Sequence, residues 1–205
     1  MNKKKIGIVI CLILLIYFVG GIIYNFTGLS DRKKEKSKVV DNSIQIRGFE
    51  YICSDNETEL YKNEFKSLKN NLESSSINYL EYAHSISKMF IIDLYTLKNK
   101  TNMYDVGGVD FVYPDSRENY KLNVSNTLYK YMEDNSDGKR MQKLPQVSEV
   151  VITSDEEIDF KIGNEKLEGY KINVDITYVE DLEYDAKAEV ILVKKDKYLY
   201  IVEKN

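Results

Sequence analysis

Histidine and cysteine are scarce in this chain of 205 residues, and their scarcity excludes several kinds of site. The one histidine, His84, provides no histidine pair for a zinc ion, and a Ser-His-Asp triad would depend on it alone. The two cysteines cannot pair, because Cys11 lies in an apolar run and Cys53 lies in the polar part of the chain. We therefore expect no internal disulfide, no catalytic residues, no cofactor and no metal ion, and we expect Cys53 to be buried.

Acidic residues occur in clusters, but these clusters do not match a calcium-binding loop. Neither Asp155-Glu156-Glu157 nor the segment 180–185 has the alternation, central glycine and closing glutamate of an EF-hand. Both are expected to be solvated loops between strands. The chain carries a net charge of −4 and its first 38 residues carry +6, so residues 39–205 carry −10. Such an acidic domain is a poor candidate for binding nucleic acid.

A single long apolar run, Ile6–Tyr24, lies near the start of the chain. It contains no charged side chain and directly follows three lysines. Nineteen residues form about 28 Å of helix, close to the thickness of the hydrocarbon core of a bilayer. We therefore predict a transmembrane helix that contacts membrane lipid. A cleaved signal peptide is the alternative, but no alanine precedes Ala83, so the usual cleavage pattern is absent and an uncleaved anchor is favoured.

The apolar run divides the chain into four parts. Residues 1–5 are a basic N-terminal tail, 6–24 the transmembrane helix, 25–47 a charged tether and 48–205 an α+β domain. A short tail before an apolar core is typical of a signal-anchor. We expect a single-pass protein of a bacterial cell membrane, with a cytoplasmic N-terminus and residues 25–205 outside. Lysines also follow the run, so charge alone does not fix this orientation.

Helical periodicity is found in the first half of the domain. One apolar stripe with spacings of 4, 3 and 4 is formed by Tyr61, Phe65, Leu68 and Leu72. A second helix, Ile77–Leu97, is apolar over a wide arc and should be the central helix, with one of the serines 74–76 as its N-cap. A third is predicted from Pro114 to about Asp134, after a short extended segment, Val109–Tyr113.

After Gly138 the pattern changes to the alternation of β-strands. The predicted strands are Val147–Thr153, Gly169–Val179, Ala186–Lys194 and Lys197–Glu203. Gly163-Asn164 is predicted as the tip of a hairpin, and Lys195-Asp196 as a second tight turn. The chain is therefore predicted to be an α+β protein with an N-terminal transmembrane helix, then two to three helices packed on a curved antiparallel sheet of three to five strands.

Tyrosine and a few polar residues are the candidates for a site. The chain has 17 tyrosines and no tryptophan, and tyrosine suits both half-exposed cores and protein interfaces. Asp105 and Asp110 flank a glycine pair, and we favour an ordering role in this loop over a pocket mouth. The position of His84 in the middle of a predicted helix favours a structural role for its side chain. Arg140 belongs to a basic stretch. The candidate pocket or interface residues are His84, Asp105, Gly107, Gly108, Arg117 and Arg140.

The order of these elements, helices followed by a meander of strands, resembles that of nuclear-transport-factor-2-like (cystatin-like) domains. The resemblance covers residues 58–203 and rests on element order. It implies a cone-shaped fold with the helix Ile77–Leu97 inside the curve of the sheet. The layout of tail, span, tether, helices and strands is also similar to that of bitopic scaffold proteins of type IV secretion and conjugation systems.

Three hypotheses for function follow. The leading one is a membrane-anchored, non-enzymatic extracytoplasmic domain, such as a cell-envelope or conjugation and secretion scaffold, that binds a protein partner or a second copy of itself. The alternative is a small-ligand-binding or enzymatic domain that uses the cavity of the cone, with His84 and Asp105 at its mouth. A third is a tethered regulator that binds a neighbouring protein through an exposed strand edge.

Overall fold

The helices and the four-stranded sheet follow one another along the chain in the predicted order, after a short β-hairpin that the predicted order does not contain. The computed structural model describes residues 43–205, and these form an α+β structure with three α-helices and two antiparallel sheets. The helices are α1 (Glu59–Leu72), α2 (Tyr79–Tyr95) and α3 (Arg117–Asn126). The strands are β1 (Ile44–Gln45), β2 (Ile52–Cys53), β3 (Val147–Ile162), β4 (Glu165–Tyr178), β5 (Lys187–Lys195) and β6 (Tyr198–Lys204).

The predicted tail, the predicted transmembrane helix 6–24 and the predicted tether up to residue 42 lie outside the described residues. Within residues 43–205, none of the helices has the length and apolar character needed to cross a membrane. Residues 43–47, predicted as the end of the tether, belong instead to the β1–β2 hairpin, and Ile46 there is fully buried.

Helix α1 forms as its apolar stripe predicts. Its buried residues are the four members of that stripe: Tyr61, Phe65, Leu68 and Leu72. The hydroxyl of Thr58 accepts a hydrogen bond from the backbone N–H of Tyr61 at 3.2 Å and so caps the N-terminus. The stripe packs α1 on α2, the helix that follows it.

Helix α2 is the central helix, since eleven of its seventeen residues are buried. The prediction of a serine N-cap is wrong. The side chain of Asn78 accepts hydrogen bonds from the N–H groups of Leu80 and Glu81, at 3.1 and 3.2 Å. The hydroxyl of Ser74 instead lies 2.7 Å from two carbonyl oxygens, that of Asn71 in the last turn of α1 and that of Ser76 in the turn that follows. Asparagine caps at least as well as serine, so the nearer residue takes the position.

Strands β3 to β6 form one antiparallel sheet in chain order. The hairpin tip is at Gly163 and Asn164, as predicted, and Gly163 has a φ of 60°. The acidic cluster Asp155-Glu156-Glu157 lies inside β3, so its expected loop is wrong. A register shift between Ile152 and Ser154 lets the strand continue, and Glu156 pairs with Lys171 across the ladder at 3.2 Å. The second acidic segment, 180–185, does connect β4 to β5.

Strand β4 buries the side chains that its alternating pattern predicts, and this face of the sheet covers the core. Ile172, Val174 and Ile176 are buried, and the residues between them are half-buried or exposed. Helix α2 lies across this face. His84 of α2 contacts Asp155 of β3, and Tyr82 of α2 accepts a hydrogen bond from the backbone N–H of Leu199 in β6 at 3.4 Å.

Two predictions between α2 and the sheet are wrong in detail. Residues Val109–Phe111 form a 3-10 turn instead of an extended segment. Helix α3 ends at Asn126, eight residues before the predicted end at about Asp134. Ser125 and Asn126 at its end and Thr127 directly after it have side chains that donate to carbonyl oxygens of the helix at 2.7–3.0 Å. Such bonds compete with the helical ladder and favour its end.

The turn at Gly108 should depend on glycine for two reasons, a left-handed φ of 78° and a tight contact. A Cβ at this position would lie 2.6 Å from the ring of Phe90, whereas Gly138, with a φ of 71°, has nothing within 4 Å. Both Gly→Ala changes cost backbone strain of about 1–2 kcal/mol. Because of overpacking, Gly108→Ala should lower the free energy of unfolding by roughly 1–3 kcal/mol more than Gly138→Ala does. The measurement is urea unfolding of the full chain in detergent. Equal losses would contradict the packing at Gly108.

Candidate functional site

Aromatic side chains from four parts of the chain meet beside strand β6. The ring centroid of Tyr198 lies 5.4 Å from that of Phe49, 6.1 Å from that of Tyr51 and 5.7 Å from that of Tyr200. We call the whole set the ring cluster; it comprises Phe49, Tyr51, Tyr82, Phe111, Tyr113, Tyr198 and Tyr200. Because stacked and edge-to-face pairs add to the burial energy of each ring, the ring cluster attaches the β1–β2 hairpin to α2 and β6.

A buried pair of hydroxyl groups lies in the middle of the ring cluster. The Oη atoms of Tyr51 and Tyr82 are 2.6 Å apart, and both side chains are almost fully buried. Burial raises the pKa of both hydroxyls, so both stay protonated at neutral pH. Tyr82 also accepts from the backbone N–H of Leu199. The pair therefore links the hairpin, the central helix and the sheet through satisfied hydrogen bonds.

A groove of about 220 Å³ opens beside the ring cluster, and we call it the tyrosine groove. Its lining residues are Glu50, Tyr51, Ile52, Asp110, Arg117, Tyr198 and Tyr200. Burial, and then the negative charge of Glu50, raise the pKa of Tyr198. Burial and the neighbouring Tyr198 raise the pKa of Tyr200, and the charge of Arg117 opposes this shift. The groove therefore presents neutral phenol groups beside one fixed cation and two carboxylates.

Arg117, a residue singled out in the sequence, is held in place by the backbone. Its Nε donates to the carbonyl oxygen of Val112 at 3.1 Å, and its Nη2 donates to that of Asp110 at 3.0 Å. A guanidinium has five N–H donors, so these two bonds fix its plane and leave three donors for other partners. The structure thus places Arg117 and Asp110 together in the tyrosine groove.

Asp105, Gly107 and Gly108 lie together in the loop after α2, where they serve the loop itself. Asp105 accepts from the N–H of Thr101 at 2.8 Å. The N–H of Gly108 donates to the carboxylate of Asp93 at 2.7 Å, and a Cβ at Gly107 would lie 2.1 Å from the carbonyl oxygen of Asp93. The glycines are therefore needed so that the loop backbone can approach α2 closely.

Arg140 binds backbone carbonyl groups on two neighbouring loops. Its Nη1 donates to the oxygens of Lys100 and Glu133 at 3.0 and 3.2 Å. Its Nη2 donates to those of Lys98 and Leu97 at 2.9 and 3.5 Å. The guanidinium thus caps the 3-10 turn at the end of α2 and joins it to the segment 133–140.

His84 lies apart from the tyrosine groove. Its Nε2 is 3.2 Å from the carboxylate of Asp155, and its side chain is 20% exposed. Because β3 and β6 are the two edges of the sheet, three strand spacings of about 4.8 Å separate the strand that His84 contacts from the strand that lines the groove. Among the described residues, no three His, Cys, Asp or Glu side chains are grouped so that they could hold a metal ion.

The tyrosine groove was not predicted from the sequence. Its parts are Glu50–Ile52, Asp110, Arg117 and the alternating pair Tyr198 and Tyr200. The alternation of tyrosines in the last strand was the available signal, because alternate residues of a strand share one face. The docking of residues 49–52 on that face is a long-range contact that periodicity does not report.

Comparison with known proteins gives no match for this chain. No protein-family model matches it, and neither does any curated protein or solved structure. The resemblance to nuclear-transport-factor-2-like domains therefore stays a prediction, and any statement about function rests on the sequence and on the geometry of the described residues.

The Arg140 contacts lead to a prediction about loop order. Arg140→Met removes four hydrogen bonds from a charged donor and should lower the free energy of unfolding by roughly 1–3 kcal/mol. The amides of residues 97–101 should also exchange with solvent faster. Lys139→Met is the matched control, because the Lys139 side chain is 82% exposed and its change should stay within about 0.5 kcal/mol. Equal stability and exchange in the two variants would show that Arg140 does not hold the loops together.

Proposed function

We propose that this chain is a membrane-anchored, extracytoplasmic protein-interaction domain without enzymatic activity, and that the tyrosine groove receives part of its partner. The anchor is the predicted helix 6–24, which an apolar run of nineteen residues supports. The observation that carries the proposal is the composition of the groove: three tyrosine rings around an arginine held in place by backbone carbonyl groups. Tyrosine and arginine are enriched where protein interfaces concentrate their binding energy.

The geometry of the groove suits a protein partner. Its volume of about 220 Å³ accommodates one or two side chains. Tyr198 and Tyr200 are rigid rings that offer apolar area at a low entropic cost. Arg117 is already oriented, so its free N–H donors can bind a carboxylate or a backbone carbonyl oxygen of the partner with little further loss of freedom.

An enzymatic or small-ligand role has less support. A cone-shaped fold would place its cavity between the central helix and the sheet, and in this chain Tyr82, Ile86 and Phe90 fill that space as fully buried side chains. The one histidine is bonded to Asp155 on the other edge of the sheet, away from the groove. Acid–base chemistry in the groove would have to rely on exposed carboxylates or on tyrosines whose pKa is raised.

The proposal also includes a cone-shaped fold and a scaffold role in the cell envelope. The described order of helices followed by a four-stranded antiparallel meander, with the longest helix across one face, agrees with the cone-shaped arrangement that the resemblance implies. A scaffold role in the cell envelope, as in type IV secretion and conjugation systems, is supported by the predicted layout of tail, span and tether. The partner is a second protein or a second copy of this chain.

A photo-crosslinking experiment in native membranes tests this proposal. Ile52 lines the groove and is 51% exposed, so a benzophenone amino acid at position 52 of the full chain should form a defined protein adduct. Leu122 on α3 is 62% exposed and is the control position, where we expect no defined adduct. Adding Arg117→Met should reduce the adduct at position 52 at least fivefold, because the groove loses its charged donor.

The mass of the adduct identifies the partner class, since twice the mass of the chain means self-association. The same adducts at positions 52 and 122, or no adduct at position 52, would contradict a role for the tyrosine groove in partner binding.

A further inference from the structure

The β3–β4 hairpin extends beyond the rest of the sheet. Strand β5 ends its pairing with β4 at Gly169, which lies opposite Ile158 of β3. Residues 158–169 therefore continue as a two-stranded ribbon, which we call the β-arm. Among the described residues, no backbone hydrogen bond reaches residues 153–162 from any segment other than β4. The β-arm thus has an open strand edge that can pair with another strand.

The opposite edge of the sheet, β6, is already bonded to other parts of the fold. The N–H of Tyr113 donates to the carbonyl oxygen of Ile201 at 2.9 Å. The N–H of Leu199 donates to the hydroxyl of Tyr82 at 3.4 Å, and its carbonyl oxygen accepts from the hydroxyl of Tyr51 at 3.5 Å. Of the two edges of this sheet in residues 43–205, β3 is therefore the open one.

One side of the β-arm is apolar although it lies outside the core. Ile158, Phe160 and Ile162 alternate along β3 and so share one side, and Phe160 is directly opposite Leu167 of β4. All four side chains are half-buried. In the described part of the chain, none of them belongs to the hydrophobic core or to the partly buried side chains packed on it. This side of the β-arm is free to contact further apolar side chains.

The other side of the β-arm carries charges that are not balanced at Lys161. Lys161 lies directly opposite Lys166 in the ladder, and like charges in that position are destabilising. Lys166 forms an ion pair with Asp159 at 2.7 Å, whereas Lys161 has no ion-pair partner within residues 43–205. A carboxylate on the open side of Lys161 would therefore stabilise the β-arm.

The sequence of β3 is self-complementary about Phe160. From Ile158 to Ile162 it reads Ile-Asp-Phe-Lys-Ile, with apolar residues at equal distances from Phe160 and opposite charges on its two sides. When two copies pair antiparallel about Phe160, Asp159 of each copy faces Lys161 of the other, and Ile158 faces Ile162. Centring the pair on Asp159 or on Lys161 would instead place two like charges directly opposite each other.

We propose that two copies of this chain associate through the open edge of the β-arm, as antiparallel strands related by a twofold axis at Phe160. The copies of Phe160 and Leu167 then form one apolar row across four strands, and two pairs of Asp159 with Lys161 fix the register. Because β3 and β6 are opposite edges of the sheet, this contact leaves the tyrosine groove free for another partner. It goes beyond the proposed function and does not depend on the groove.

Photo-crosslinking of the purified full chain in detergent tests this contact. A benzophenone amino acid at Ile162, which would face Ile158 of the second copy, should give an adduct of twice the mass of the chain. Val151 is the matched control, because it lies on the same strand, is 46% exposed and falls outside the paired stretch. Equal yields of this adduct at the two positions, or no adduct at position 162, would overturn the proposal.

Mixing two charge variants tests the register between chains. Asp159→Lys and Lys161→Asp each turn both opposite-charge pairs into like-charge pairs, so each variant alone should lower the adduct yield at position 162 at least fivefold. An equimolar mixture restores both opposite-charge pairs, but only between unlike chains, so the yield should recover. An effect confined to the hairpin of one chain cannot recover on mixing. A yield that stays low in the mixture, or that neither variant lowers, would overturn the proposed pairing.

Discussion

A layer of aromatic rings determines how the first described residues join the rest of the domain. The β1–β2 hairpin has a ladder of only two residue pairs, too short to be stable alone. Its position therefore depends on Phe49 and Tyr51, which pack against α2 and β6, and on the hydroxyl pair of Tyr51 and Tyr82. The ring cluster is therefore the joint that holds this hairpin on the rest of the described residues. The tyrosine groove is formed at this joint, since Tyr51, Tyr198 and Tyr200 belong to both.

Polar contacts have the corresponding role at the C-terminal end of α2. Asp93 binds Lys100 and the N–H of Gly108, and the hydroxyl of Tyr129 donates to the carbonyl oxygen of Leu94 at 2.7 Å. Buried polar groups must be paired, so each of these bonds restricts the loops to one arrangement. Arg140 extends the same restriction to the second loop. The loops after α2 are thus held in one arrangement by contacts within the fold itself.

The sequence predicted those parts of the fold that depend on local periodicity. The stripe of α1, the central position of α2, the hairpin tip at Gly163 and the buried face of β4 all follow from spacing along the chain. Two of the errors occur where side chains compete for backbone groups, at the early end of α3 and at the N-cap of α2. Others, such as the acidic cluster inside β3 and the hairpin at residues 44–53, depend on pairing with distant segments. The tyrosine groove was not predicted, because it forms where segments more than 50 residues apart in sequence meet and no local pattern reports such contacts. Arg117 and Arg140 were both candidates in the sequence, yet Arg140 donates to four carbonyl oxygens whereas Arg117 donates to two and lines a groove.

Hydrogen exchange of a Phe49→Ala variant of the full chain tests most directly whether the ring cluster holds the β1–β2 hairpin on the domain. Phe49 is 7% exposed and contacts Tyr51, Tyr82 and Tyr198, so its loss removes ring contacts between the hairpin and the domain. We predict that the amides of residues 44–53 exchange at least tenfold faster, while the amides of α2 keep their protection, because the core of helix and sheet does not depend on the hairpin. Unchanged exchange in residues 44–53, or an equal loss of protection in α2, would contradict the account.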